Sequence, residues 1–405
     1  MTKTKTNLEE QIAEASYVCG RCGSCRNVCP VYQEIKWESS SPRGKIALAK
    51  DIFLKHKSDK MTEFYTRRLL ECTLCGRCEE ICAAGIHTRE LWLDLRESLR
   101  EKGRLHPNFR HLSEQIALTH NISATANEYR LDWTDDLDDF EVPQSKDGSE
   151  VAYFVGCVSS FYPQLAEIPQ SIVKILEQGQ VSYTVLGGEE WCCGFPLISA
   201  GMSGEAQALA RHNMEKVRAL GVKTLITGCA SCFHTWSEEY QRLLGEAGGE
   251  AGGEAEKGAG FEVLHVTEYF ARLLREKRLM PAGISETVTY HDPCDLGRNS
   301  GVYEAPRDIL QAIPGLDYVE MCRNRELADC CGGGGNLQMV DSGLSQAIAG
   351  RRVGAAVETG ASILVSACQQ CVQTLREAAR KEKLPLEVMD ITELLWRVLE
   401  NERGV

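Results

Sequence analysis

Two absences bound this chain before any motif is read. No window of its 405 residues approaches the ~20 consecutive apolar residues that a bilayer core requires, so no direct membrane span is predicted. Nor is there a basic surplus: 45 lysines and arginines stand against 58 aspartates and glutamates. The net charge of -13 has the wrong sign for a surface that neutralises phosphates, and no nucleic-acid partner is expected. The opening stretch MTKTKTNLEEQIAEAS lacks the apolar core of about 7–15 residues and the small-residue cleavage site of a secretory signal, so the expected location is the cytoplasm. No G-x-G-x-x-G follows a predicted strand, and no Rossmann-type FAD or NAD site is expected.

What the chain has in excess is cysteine, with 19 residues. Disulfide scaffolds belong to short secreted chains that cannot bury enough surface, whereas this length predicts two or three domains with cores of their own. Reduced thiols in such numbers point to metal binding. Residues 1–133 read as helix and loop, with apolar residues at three-to-four spacing near 43–56, 60–71 and 88–102. Residues 134–150, TDDLDDFEVPQSKDGSE, are acidic, poor in apolar residues and broken by Pro and Gly, which predicts a linker. From 151 onward short β-branched runs (151–155, 181–186, 222–227) alternate with amphipathic helices such as 203–219, the pattern of βαβ units and a parallel sheet.

That second region is duplicated. Cys157, the pair Cys192-Cys193 and Cys229-x-x-Cys232 recur as Cys294, Cys330-Cys331 and Cys368-x-x-Cys371, displaced by 137, 138 and 139 residues. EVLHVTEYFARLL at 262–274 recurs as EVMDITELLWRVL at 387–399. The low-complexity GEAGGEAGGEAEKGAG at 245–260 lengthens the first copy alone and reads as a surface insertion without chemistry. The expected architecture is therefore α+β and multidomain: a helical region over 1–133, an acidic linker over 134–150, and two duplicated α/β halves with parallel strands over 151–280 and 281–405.

Cys19-x-x-Cys22-x-x-Cys25-x-x-x-Cys29-Pro30 is the bacterial ferredoxin run, repeated as Cys72-x-x-Cys75-x-x-Cys78-x-x-x-Cys82. Three closely spaced cysteines wrap one cubane and the fourth reaches the neighbouring one. The ligation is thus expected to be crossed, with Cys19, Cys22, Cys25 and Cys82 at the first [4Fe-4S] site and Cys72, Cys75, Cys78 and Cys29 at the second. A pair of structural zinc sites is the alternative reading of such thiolates. Ala83 stands where the first run has Pro30, so the turn that aims Cys82 is less rigidly set. Between the runs, Arg43 and Lys45 follow Pro42 at a helix start, where they either raise the potential of a nearby cluster or are simply solvated.

In each later half the cysteines follow predicted strands, at the carboxyl edge where parallel sheets concentrate their chemistry. Five thiolates converge per half, one more than a cubane needs. Gly194 after the first pair, and Gly332 and Gly333 after the second, let the backbone approach inorganic sulfide and offer N–H donors to it. Each half, with one Cys, then Cys-Cys-Gly, then C-x-x-C, resembles a CCG domain. With the ferredoxin region ahead of them, the chain resembles the catalytic iron-sulfur subunit of membrane-linked heterodisulfide reductases and, more loosely, the iron-sulfur subunits of glycolate and lactate oxidases. The resemblance implies two noncubane [4Fe-4S] clusters, one on Cys157, Cys192, Cys193, Cys229 and Cys232 and the other on Cys294, Cys330, Cys331, Cys368 and Cys371, with a disulfide split between them. Zinc in either half is the competing occupant. His291 and His234, close in sequence to Cys294 and Cys232, either protonate a departing thiolate or simply hydrogen-bond a cluster or cap a helix. Cys322 lies outside both patterns and reads as an ordinary small side chain.

Two functions follow from this reading. One is disulfide/dithiol interconversion, with electrons fed through the ferredoxin clusters. The other is pure electron transfer between a flavin dehydrogenase or electron-transfer flavoprotein and a membrane quinone. Each calls for redox partners: a cytochrome b-like membrane subunit, a flavoprotein or another iron-sulfur subunit. Through such a partner the chain would sit at the inner face of the membrane.

Overall fold

The computed structural model describes residues 8–54, 62–137, 140–245 and 260–400. The insertion predicted at 245–260 falls almost entirely outside these residues. The N-terminal region is helical, as the apolar spacing implies, with helices Pro42–Ala49, Glu63–Leu70 and Thr88–Glu101 in the three predicted stretches. Ser41 caps the first of these by accepting from the Gly44 amide, and Pro42 occupies its first turn, where a missing N–H costs nothing. The two ferredoxin loops share one backbone shape. Arg21 and Gly23 in the first run, and Leu74 and Gly76 in the second, are all left-handed, which turns successive thiols toward a common centre.

The remainder forms two four-stranded parallel sheets. The first contains β1 (Val151–Phe154), β2 (Tyr183–Val185), β3 (Thr224–Thr227) and β4 (Glu262–His265) in the order β2-β1-β3-β4. The second repeats it with β5 (Thr287–His291), β6 (Asp317–Tyr318), β7 (Ile363–Ser366) and β8 (Glu387–Asp390) in the order β6-β5-β7-β8. Strands β1, β3 and β7 are buried along their whole length, as parallel strands covered by helices on both faces must be. The last helix of each half packs on the first long helix of the other. Ile391–Glu400 meets Glu167–Gln178, and Val266–Arg275 meets Glu304–Gln311. This pseudo-twofold exchange turns the carboxyl ends of the two sheets toward each other.

The acidic segment after the helical region does more than connect. Val185 donates its amide to the Pro143 carbonyl, Ser145 donates to the Val185 carbonyl, and Gln144 bridges β2 in parallel, so the segment extends the first sheet by a short edge. Val142 is buried there. One apolar residue and a few backbone bonds suffice for an edge, which composition averaged over the segment conceals.

Candidate iron-sulfur site

The ferredoxin loops bring together the thiols of each crossed set. Cys25 lies among Cys19, Cys22 and Cys82, and these four line a cavity of about 260 Å³. Cys29 lies beside Cys72 and Cys75, and Cys78 beside all three. Cys29 also caps its own helix, its sulfur accepting from the Tyr32 amide, and burial pushes its thiol up to about 12. The first set is open to solvent at Cys22, whereas the second is enclosed and faces the second half.

Of the ten patterned cysteines in the duplicated halves nine are buried and Cys294 is partly so, while Cys322, outside the pattern, is exposed. The ten form a continuous file. In the first half Cys157 touches Cys192, Cys193 touches Cys232, and Cys232 touches Cys229. In the second, Cys368 touches Cys371, whose sulfur lies 3.2 Å from that of Cys331, and Cys330 touches Cys294. Two further contacts link separate units: Cys229 touches Cys368 across the interface between halves, and Cys75 of the ferredoxin region touches Cys330. Thiols so crowded cannot all ionise unaided. Contact with Cys192 and burial push Cys157 up, and contact with Cys331 does the same to Cys371, while donation from Cys192 and Cys232 pulls Cys193 down. A positively charged metal cluster is what allows every member to be a thiolate at once, so the donor set fits the expected groups.

The glycines divide their tasks. Gly194 and Gly332 take positive φ and aim their amides at Cys192 and Cys330, at 3.5 and 3.3 Å, and the Gly333 amide is 3.4 Å from Cys331. Gly335 serves packing instead, since a Cβ there would stand 2.5 Å from the Cys72 carbonyl. Further bonds tie the halves face to face. Gln369 donates to the Val155 carbonyl and accepts from Ser159, while Ser231 donates to Asp295 at 2.7 Å.

The two histidines sit in different surroundings. His291 is buried, and its Nδ1 accepts from Arg352 Nε at 2.9 Å. Burial, with Arg352 alongside, pulls its pKa to about 3. The ring lies in one group with Cys331 and Cys371, and its Nε2 is buried without a hydrogen-bond partner. His234 bonds Ser300 through Nδ1 and stands 3.6 Å from Glu239 through Nε2, which turns it toward the domain junction. Sequence proximity to a cysteine does not specify which side of a helix a residue occupies.

Two features of the site carried no sequence signal. Arg130, before the acidic segment, is fully buried with Glu190, their Nη1 and Oε1 2.7 Å apart. Glu190 also accepts from the Val155 and Gly156 amides, and Arg130 Nη2 lies 3.5 Å from Cys157. The pair thereby fixes the loop that carries Cys157. Arg96, also buried, donates to the carbonyls of Leu70, Cys72, Ser199 and Gly335 and so joins all three units.

This arrangement of a dicluster ferredoxin region against two facing thiol centres defines an iron-sulfur oxidoreductase. Comparison with known proteins agrees: residues 15–86 match the 4Fe-4S dicluster domain family, and residues 151–236 and 288–376 match the cysteine-rich CCG domain family. The chain is 36% identical to a subunit of the dihydromethanophenazine:CoB–CoM heterodisulfide reductase of Methanosarcina acetivorans, over 94% of this chain and 93% of that protein. It is 35% identical to the Methanosarcina barkeri counterpart, over 98% and 97%. It belongs to the heterodisulfide reductase family that these two proteins represent. It is also 26% identical to an EtfAB:quinone oxidoreductase of Syntrophomonas wolfei, over 94% of this chain and 58% of that protein. A solved hypothetical protein from Helicobacter pylori shares the fold, with a TM-score of 0.60 at 8% identity over 89% of this chain and 68% of that one. Among the described residues no helix is long and apolar enough to cross a membrane.

Proposed function

We propose that the chain reduces a disulfide, or oxidises the corresponding dithiol, between the two five-cysteine centres. The observation that carries this reading is the contact of Cys229 with Cys368, which sets the two centres against one another and not at separate edges. In the reductive direction the S–S bond takes two electrons and breaks, and each sulfur leaves with one proton drawn from solvent. The electrons come singly from a partner redox protein through the ferredoxin cysteines. Noncubane [4Fe-4S] clusters on the two sets would supply iron for the separated sulfurs. The chain's own residues hold the geometry: Gln369 and Ser231 lock the faces together, His291 stands in one group with Cys331 and Cys371, and the Arg130–Glu190 pair holds Cys157. By the activity that names its Methanosarcina relatives, the disulfide is of the CoB–CoM type.

A second reading, electron relay from an electron-transfer flavoprotein toward a quinone, is favoured by the burial of the file of thiols and by the Syntrophomonas relative. Cys157→Ser and Cys294→Ser separate the two. Anaerobic protein carrying four clusters should hold about 16 irons. Either substitution should abolish thiol release from CoB–CoM heterodisulfide while dye reduction of the ferredoxin clusters survives. If one variant keeps full turnover, two-centre cleavage is wrong and the relay reading replaces it.

A further inference from the structure

The second ferredoxin site, on Cys29, Cys72, Cys75 and Cys78, is walled by cations that no carboxylate matches. Lys45 is 2% exposed, lines the same cavity as the four thiols and gives its ammonium to the Glu71 carbonyl. The Glu71 carboxylate is taken by Arg67 and Arg68. Arg96 donates to four carbonyls, that of Cys72 among them. Arg298 donates Nε to the Cys75 carbonyl and Nη1 to the carbonyls of Glu326 and Ala328, while its Nη2 is buried without a partner beside Cys75, Cys294 and Cys330. Other cations near this site are neutralised: Arg77 by Asp329 and Arg89 by Glu239.

The first site differs in exposure, and its two arginines share one carboxylate. Cys22 is exposed, Arg43 is tied to Glu38 at 2.5 Å, and Arg26 approaches the same carboxylate at 3.6 Å. Water favours added negative charge at this exposed site, and burial opposes it at the second. Carbonyls orient toward Lys45, Arg96 and Arg298 but carry no net charge, so three full positive charges remain in an interior that screens them poorly. Asp295, a buried carboxylate bound by Ser231 and Asn299, lies against Cys294 of the second half. Three unmatched charges outweigh one face of water.

We propose that Lys45, Arg96 and Arg298 make the second ferredoxin site the electron sink of the pair, so that electrons run from the exposed site inward and leave through Cys75 to the Cys330 half before the Cys157 half. This rests on the redox reading above and adds a direction and an order to it. One electron leaves the reduced first site and reduces the second. A one-electron donor protein docked at the exposed face then restores the first.

The test is an anaerobic redox titration of the full chain followed by electron paramagnetic resonance. The signal broadened by a soluble paramagnetic chelate is assigned to the exposed first site. In the parent protein the second site should hold an electron at least tenfold more readily than the first, about 59 mV for one electron. Lys45→Met and Arg298→Gln should each weaken that preference tenfold or more without moving the first site. Arg298→Lys, which disturbs the carbonyl fork but keeps the charge, should retain the parent midpoint even if Arg298→Gln loses iron. The proposal is overturned if the first site is reduced first, or if removing either charge leaves the second midpoint unchanged. Failure of disulfide chemistry would appear only in the thiol assay, with these midpoints intact.

Discussion

Replacing Arg130 by Met removes one member of a fully buried ion pair and leaves the other in place. Glu190 would keep the Val155 and Gly156 amides, at 2.8 and 2.9 Å, but lose the guanidinium at 2.7 Å. Burial pushes this carboxyl up even in the folded protein, and Arg130 and the two amides keep it from rising further. Breaking a buried pair from one side costs about 3–5 kcal/mol, a large part of the roughly 5–15 kcal/mol that keeps a domain folded. The damage should be local, because Glu190 anchors the turn that presents Cys157 and Arg130 packs over Phe161. Anaerobic denaturant unfolding and iron analysis should show Arg130→Met destabilised by about 3 kcal/mol or more, with iron lost from the first half and the ferredoxin signals preserved. Adding Glu190→Gln removes the stranded charge and should restore part of that loss, a coupling of about 1–3 kcal/mol. A single variant within about 1 kcal/mol of the parent, or a double variant worse than the single, would refute the reasoning.

Two further outcomes are expected. Cys82→Ser should abolish the cluster signal belonging to Cys19, Cys22 and Cys25 and spare the one belonging to Cys72, Cys75 and Cys78, although Cys82 is adjacent in sequence to the latter; spectra of the anaerobic variant decide it. Asp390, whose Oδ1 accepts from Thr392 and whose Oδ2 is buried without a partner, is pushed by burial up to about 8. Its folded pKa lies above the unfolded value, so its stabilising contribution is present at acid pH and is lost as pH climbs toward 8. Asp390→Asn should therefore gain stability relative to the parent between pH 5 and 8, by at most ~1.4 kcal/mol per unit, and thermal unfolding that shows a pH-independent difference would contradict this.

The ferredoxin runs and the duplicated thiol pattern were legible because metal ligation imposes short, rigid spacings that survive in one dimension. The parallel sheets were legible for a similar reason, since strands covered on both faces require uninterrupted β-branched runs. Less of the surroundings could be read. The edge added by residues 143–145 depends on backbone bonds that any residue supplies, and composition pointed only to a linker. His291 and His234 looked equivalent beside their cysteines, yet Arg352 claims one ring and Glu239 the other.

By itself, then, the sequence determined which thiols belong together within each loop and half, because those sets are assembled from local turns and from a repeat that displays its own spacing. Only the tertiary structure decided how the sets meet. Cys75 reaches Cys330, Cys229 reaches Cys368, Arg130 reaches Glu190, and Arg96 gathers carbonyls from three units, all between residues distant in the chain. These contacts arise from the pseudo-twofold packing of the halves and the docking of the helical region upon them. Helix-on-helix burial sets that packing, and it leaves no mark on the spacing of the cysteines it brings together.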